Sequence, residues 1–266
     1  MRARRAALAL LLLAWLPARA GAGCAPLRMA YSNQEVVPYY MGSGALPAKP
    51  PGATVELLRE IAASAGCVLE FNRLPPARVP VGVDSGAVDS APLGVVPGDY
   101  PNIVYPLDKH GQPDRARAVQ MHTVAYVRAS DKLAPATDPV SYLKGRKIGT
   151  FHGASFGTIL RQAGYDIDDG ALDAQRNFDK LRLGRIDAVL LSLANPEDLD
   201  PYIAEHFGGA IMRLDKPMRT AHVWLTFNRK YYEANREHVE TMWIWLAGEG
   251  RARLGILLRQ YNHDLP

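Results

Sequence analysis

The chain has 266 residues, 48% hydrophobic and 22% charged, an ordinary globular composition that excludes a disordered or low-complexity protein. Its formal charge of +4 comes from Arg2, Arg4, Arg5 and Arg19; without them the 27 remaining Lys and Arg balance the 27 Asp and Glu. A neutral body lacks the basic footprint of a nucleic-acid binder and the charge that holds a protein at a membrane surface. The first element is an export signal: a basic start, an apolar run from Ala6 to Leu16, the helix breaker Pro17, and Ala18-Arg19-Ala20 as the cleavage site. The apolar run is shorter than the roughly 20 residues a bilayer span needs. Cleavage after Ala20 is therefore expected, with 1–20 removed and a periplasmic location for the rest. An uncleaved anchor and a lipoprotein site at Cys24 are the alternatives.

Export places Cys24 and Cys67 in an oxidising compartment. Each cysteine directly precedes an apolar strand-like run, Leu27–Tyr31 and Val68–Phe71. If the two strands are parallel neighbours, a Cys24–Cys67 bridge ties the mature N-terminus to the sheet; two separate thiols are the alternative. Between these strands lie a long loop rich in Pro, Gly and Tyr (Ser32 to Gly52) and a run with helical spacing, Thr54–Ala62, ended at Gly66. Strand, helix and strand in this order imply a parallel crossover and an α/β sheet.

A short pattern then occurs twice, 98 residues apart: Gly86-Ala87-Val88-Asp89 before the apolar run Ser90–Val96, and Gly184-Arg185-Ile186-Asp187 before Ala188–Leu191. Each follows a short predicted helix, Arg78–Ser85 and Asn177–Leu183. The echo implies two lobes of like construction. The second contains the strand Lys147–Phe151, the turn Gly153-Ala154-Ser155, the helix Phe156–Ala163 and the strand Gly208–Leu214. The strand Ala221–Asn228 and the helices Tyr231–Leu246 and Arg251–Tyr261 complete the chain. Crossings between lobes are expected near Tyr126–Ala129 and Pro217–Thr220. This gives lobe 1 as 24–126 plus 220–266, and lobe 2 as 128–217.

The segments Val37-Pro38-Tyr39-Tyr40, Gly52–Gly66, Val83–Asp89, Pro113-Asp114-Arg115, Leu143–Ser155 and Leu181–Ala188 follow one another. In order and spacing they resemble the family 3 periplasmic solute-binding proteins, the polar amino-acid receptors of the type 2 periplasmic binding fold. Arg73-Leu74-Pro75-Pro76-Ala77-Arg78 is similar to the "R.Pw.R" segment of members that also carry a cysteine pair. The resemblance implies an α/β fold of two lobes, each a mostly parallel sheet flanked by helices, joined by two hinge crossings. It implies a monomeric receptor that closes on a small polar, carboxylate-bearing ligand and serves an ABC-type permease or a membrane sensor. An orphan sensory protein, a dehydratase-like enzyme on the same fold, and a two-lobe protein that has lost ligand binding and acts only through its surface are the rival readings.

Arg115 matches the family arginine that clamps a ligand carboxylate through two parallel hydrogen bonds. Arg78 matches the second arginine of the "R.Pw.R" segment. Tyr39, rather than Tyr40, is expected to stack on ligand at the carboxyl edge of the sheet. His152, Gly153 and Ser155 enter a helix N-terminus, whose free amides and dipole suit an anion. Gly94 and Ser192 complete the expected ligand-binding set. Ser192 stands where the family places an acid for the ligand ammonium, and twenty residues separate Gly94 from Arg115, an insertion relative to typical amino-acid receptors. No metal, cofactor or catalytic motif is present in the sequence; Glu35 and His152 are the acid–base candidates for the enzyme reading. Trp224, Trp243 and Trp245 are read as core.

Overall fold

The computed structural model describes residues 24–263. The leader and cleavage site therefore lie outside the described residues. The first half-sheet begins with β1 (Leu27–Ser32), α1 (Ala53–Ser64), β2 (Leu69–Leu74), α2 (Arg78–Ser85), β3 (Ser90–Leu93) and β4 (Ile103–Val104). The long strand β5 (Ala118–Arg128) leads to α3 (Pro139–Tyr142), β6 (Lys147–Phe151), α4 (Ser155–Gln162), β7 (Asp166–Ala171), α5 (Ala174–Arg182) and β8 (Ala188–Leu193). Then come α6 (Asp200–Phe207), β9 (Ile211–Arg213), β10 (Arg219–Asn228), α7 (Arg229–Ala234), α8 (Arg236–Trp245) and α9 (Arg251–His263).

The main sheet path is β2-β1-β3-β10-β5-β8-β6-β7, with β4 on β10 and β9 on β5. The β1–β2, β1–β3, β6–β7 and β6–β8 pairs are parallel. The antiparallel pair β5–β10 joins the halves. Strand β5 pairs with β10 from Ala118 to Thr123 and with β8 from His122 to Tyr126. One strand thus leaves one lobe and enters the other within a few residues. This is the two-lobe α/β fold expected from the sequence.

The repeated Gly-x-x-Asp pattern does the same work in both lobes. Gly86 adopts a left-handed φ of 75° and closes α2; Gly184, at φ 70°, follows α5. The aspartate that follows each glycine then pins the start of the neighbouring parallel strand. Asp89 Oδ2 accepts from Arg28 N at 2.9 Å while Asp89 N donates to Arg28 O. Asp187 Oδ2 accepts from Lys147 N at 3.0 Å while Asp187 N donates to Lys147 O. Each carboxylate also pairs with an arginine, Arg28 or Arg128.

The Cys24–Cys67 disulfide is present, with a sequence separation of 43. It joins the residues just before β1 and β2, whose register runs from Leu27 opposite Leu69. Several boundaries differ from the sequence reading, three of them by more than end residues. The segment Gly208–Ala210 is a 3-10 turn and only Ile211–Arg213 is strand. The helix expected over Tyr231–Leu246 is broken at Asn235, where φ −129° is not helical. Residues 246–250 form a π-helical turn between α8 and α9. No helix among the described residues is long and apolar enough to cross a membrane.

Candidate functional site

In both lobes the parallel strands run toward the interface. Their carboxyl ends, at Ser32 of β1, Leu93 of β3, Phe151 of β6 and Ser192 of β8, all line one cavity of about 450 Å³. Ligands favour this edge of parallel sheets because the loops that diverge there leave a crevice. The hinge strands supply the floor through Val119, Met121, Val223 and Trp224. The cavity continues into the first lobe along α1, past Leu58 and Ile61, to Leu246 and Leu254.

Tyr39 enters this space because the chain before α1 is held by that helix. The first amides of a helix lack partners within it; here Ala53 N donates to Pro38 O and Thr54 N to Tyr39 O. Gly52, at φ 107°, makes the approach feasible: a Cβ there would lie 2.4 Å from Tyr39 O. The Tyr39 ring is buried and its hydroxyl reaches across to the loop after β8. It donates to Asp198 Oδ2 and accepts from Ala194 N at 2.6 Å. Asp198, also buried, is held by Asn195 N and Nδ2 at 2.8 and 3.0 Å. Burial, and then the neighbouring carboxylate, pushes the Tyr39 phenol well above its ordinary value, so it stays a donor. Two more bonds cross between lobes: Gln34 Nε2 to His152 O at 2.9 Å, and Asn262 Nδ2 to Asp198 O at 3.0 Å.

Of the expected ligand-binding residues, Tyr39, Gly94, Gly153, Ser155 and Ser192 line the cavity together. Arg78, Arg115 and the His152 side chain do not. Arg78 opens α2 and is exposed beside Ala77, which does line the cavity. Arg115 is exposed in a 3-10 turn before β5 and faces His222, whose pKa is lowered by burial and then by that arginine. The His152 ring is exposed, with Nδ1 3.1 Å from Asp169 O. Glu35 accepts from Gly42 N at 2.6 Å and does not line the cavity.

Several lining residues escaped the sequence reading. Trp224, read as core, is buried but forms part of the wall; its Nε1 donates to Asp114 O at 2.8 Å and its ring meets Tyr105 edge-on. The Tyr105 hydroxyl donates to Gly94 O at 3.0 Å, and burial pushes its pKa to about 12. The insertion after Gly94 is thereby tied down and contributes Val96, Pro97 and Tyr100 to the wall. Arg73, the first arginine of the "R.Pw.R" match, is structural. Its buried guanidinium donates to the carbonyls of Ser32, Gly42 and Leu46 and lies over the Tyr31 ring, so it binds the Tyr39 loop to the sheet. Among the described residues that line the cavity there is no Asp, Glu, His, Lys or Arg.

No protein-family model matches the chain, and no curated protein is similar to it in sequence. Solved structures do match in fold. The ligand-binding core of GluR0 from Nostoc punctiforme, in complex with L-glutamate, superposes with a TM-score of 0.63 at 14% identity, over 86% of this chain and 97% of that one. AbpA, the substrate-binding protein of an amino acid ABC transporter from Streptococcus pneumoniae, bound to L-arginine, gives 0.60 at 16% identity over 90% and 94%. A histidine kinase sensor domain with similarity to periplasmic binding proteins gives 0.62 at 17% identity over 87% and 95%. At such identities the likeness is one of fold.

Proposed function

We propose that this chain, which has the two-lobe fold of the family 3 periplasmic solute-binding proteins, is an exported receptor that encloses a small molecule between its lobes. The observation that carries this is the cavity itself, walled by the carboxyl ends of parallel strands from both halves of the sheet. Its size lies within the roughly 300–1,000 Å³ usual for small-molecule sites. The leader pattern and the Cys24–Cys67 bridge support export to the periplasm, with lobes at 24–126 plus 220–266 and at 128–217. Tyr39, Gly94, Gly153, Ser155 and Ser192 are the proposed contact residues.

Ligand shifts such a protein only by its preference for the closed state. The closed surface then docks on a membrane partner. The fold neighbours include the substrate-binding protein of an amino acid ABC transporter and a histidine kinase sensor domain, which support an ABC-type permease or a sensor kinase as that partner. The resemblance also implies a carboxylate-bearing ligand clamped by Arg115 and Arg78; receptor function does not depend on that clamp, since neither lines the cavity. A dehydratase-like enzyme needs a positioned acid or base, and neither Glu35 nor His152 is among the residues that line the cavity.

The test is small-angle scattering and thermal unfolding of protein stripped of ligand by unfolding and refolding, against a panel of amino acids, dicarboxylates, neutral aromatics and small peptides. A ligand at a thousand times its dissociation constant adds about 4.1 kcal/mol, or roughly 8–16 °C for a chain of this size. A panel without any shift contradicts receptor function.

A further inference from the structure

We infer that the cleft takes an uncharged, mainly apolar ligand with one small polar group, rather than a zwitterion or a carboxylate. This rests on the reading of the cavity as a ligand site and names its chemistry. An enclosed carboxylate or ammonium needs an opposite charge or several converging donors, because removal from water is costly. The wall offers no opposite charge. It contains no charged side chain, and two of its side-chain donors are committed within the protein: Gln34 Nε2 to His152 O, and the Tyr39 hydroxyl to Asp198. Trp224 Nε1 is committed as well, to Asp114 O.

Most of the remaining surface is rings and aliphatic side chains. Met121 and Trp224 come from the hinge strands, Phe156 from the second lobe, and Val96, Pro97 and Tyr100 from the insertion that distinguishes this chain from the amino-acid receptors it resembles. Ser155, Thr158 and Ser192 are the polar side chains on the second-lobe side. The hydroxyls of the two serines make no hydrogen bond within the described residues, and they suit a ligand hydroxyl, carbonyl or amide. The volume is about three times the roughly 150 Å³ that accepts a benzene ring. One or two rings, or an equivalent aliphatic body, fit it, and the apolar extension toward Leu254 accommodates the part farthest from the serines.

The test uses matched pairs that share one aromatic group each, indole against L-tryptophan and p-cresol against L-tyrosine. Binding is read by displacement of the neutral fluorophore N-phenyl-1-naphthylamine and by thermal shift on the refolded full chain. The neutral member of each pair should bind at least tenfold more tightly. Met121→Trp, which fills the floor, should abolish fluorophore uptake with the circular dichroism unchanged; Ser192→Leu provides a second filling variant if the first does not fold. Arg115→Ala should leave the affinity as it is. Tighter binding of the amino acids, or their loss in Arg115→Ala, overturns the ligand class and leaves the receptor standing. Failure of every neutral and charged probe overturns both. Unchanged fluorophore uptake in a folded filling variant shows that the cavity is not the site and also overturns the inference.

Discussion

Tyr39→Phe is the most informative single change, because one hydroxyl makes two of the hydrogen bonds that cross between the lobes. The substitution keeps the buried ring and removes two hydrogen bonds, the one to Asp198 Oδ2 and the one from Ala194 N. A buried amide left without a partner costs about 1–3 kcal/mol, and a hydrogen bond to a charged group contributes about 1.5–3 kcal/mol. Asp198 retains Asn195 N and Nδ2, so its carboxylate is not abandoned. The net loss is then about 2–4 kcal/mol. If the lobes stay together, 3 kcal/mol lowers the melting temperature of a chain this size by roughly 6–12 °C. If instead they separate, Ala194 N and Asp198 regain water and the loss falls on the closed state. The assay is paired: thermal unfolding and small-angle scattering at pH 7. The reasoning requires a lower melting temperature or a larger radius of gyration. A variant matching the parent in both would refute it.

Other consequences are simpler to read. Cys67→Ser removes a cross-link over 43 positions, which in the chain-entropy description stabilises by about 4 kcal/mol; denaturant unfolding should show a loss of about 2–4 kcal/mol. Gly52→Ala puts a Cβ 2.4 Å from Tyr39 O at φ 107°, and should cost more than about 2 kcal/mol in the same assay. The hydrogen bond from Lys180 Nζ holds Asp168 below its ordinary value, against the opposing effect of burial. A lowered native pKa means stability that is present above the unfolded value near 3.9 and lost as pH falls through the native one; Lys180→Met should flatten denaturant midpoints between pH 5 and 2.5. The phenols of Tyr39, Tyr40 and Tyr126 are raised chiefly by burial. In spectrophotometric titration these three should stay protonated past pH 10 and ionise only as the protein unfolds, so stability should decline above that pH.

The local rules carried much of the fold. The helix over Arg78–Ser85 and the strand Lys147–Phe151 follow directly from periodicity and glycine punctuation. The repeated Gly-x-x-Asp identified the lobes because each aspartate performs a short-range task, pinning the next strand. Contacts across the cleft were not legible. Tyr39 meets Asp198 over a sequence distance of 159, and nothing in the neighbourhood of Asp198 announces a tyrosine. Trp224 lies in an alternating strand whose pattern is the same for a core residue and for a cavity wall. Arg73 and Arg78 flank one short segment, yet one is buried against carbonyls and the other exposed; only tertiary packing separates them.

The central claim is that a small molecule binds where the two lobes meet. Equilibrium binding of N-phenyl-1-naphthylamine to the refolded protein, followed by energy transfer from tryptophan, tests it most directly, since Trp224 forms part of the cavity wall. Saturable binding with one site per chain, strong transfer that falls in Trp224→Phe, and loss of binding in Met121→Trp are the predicted results. Absent binding, or binding unchanged by both substitutions, would contradict the account.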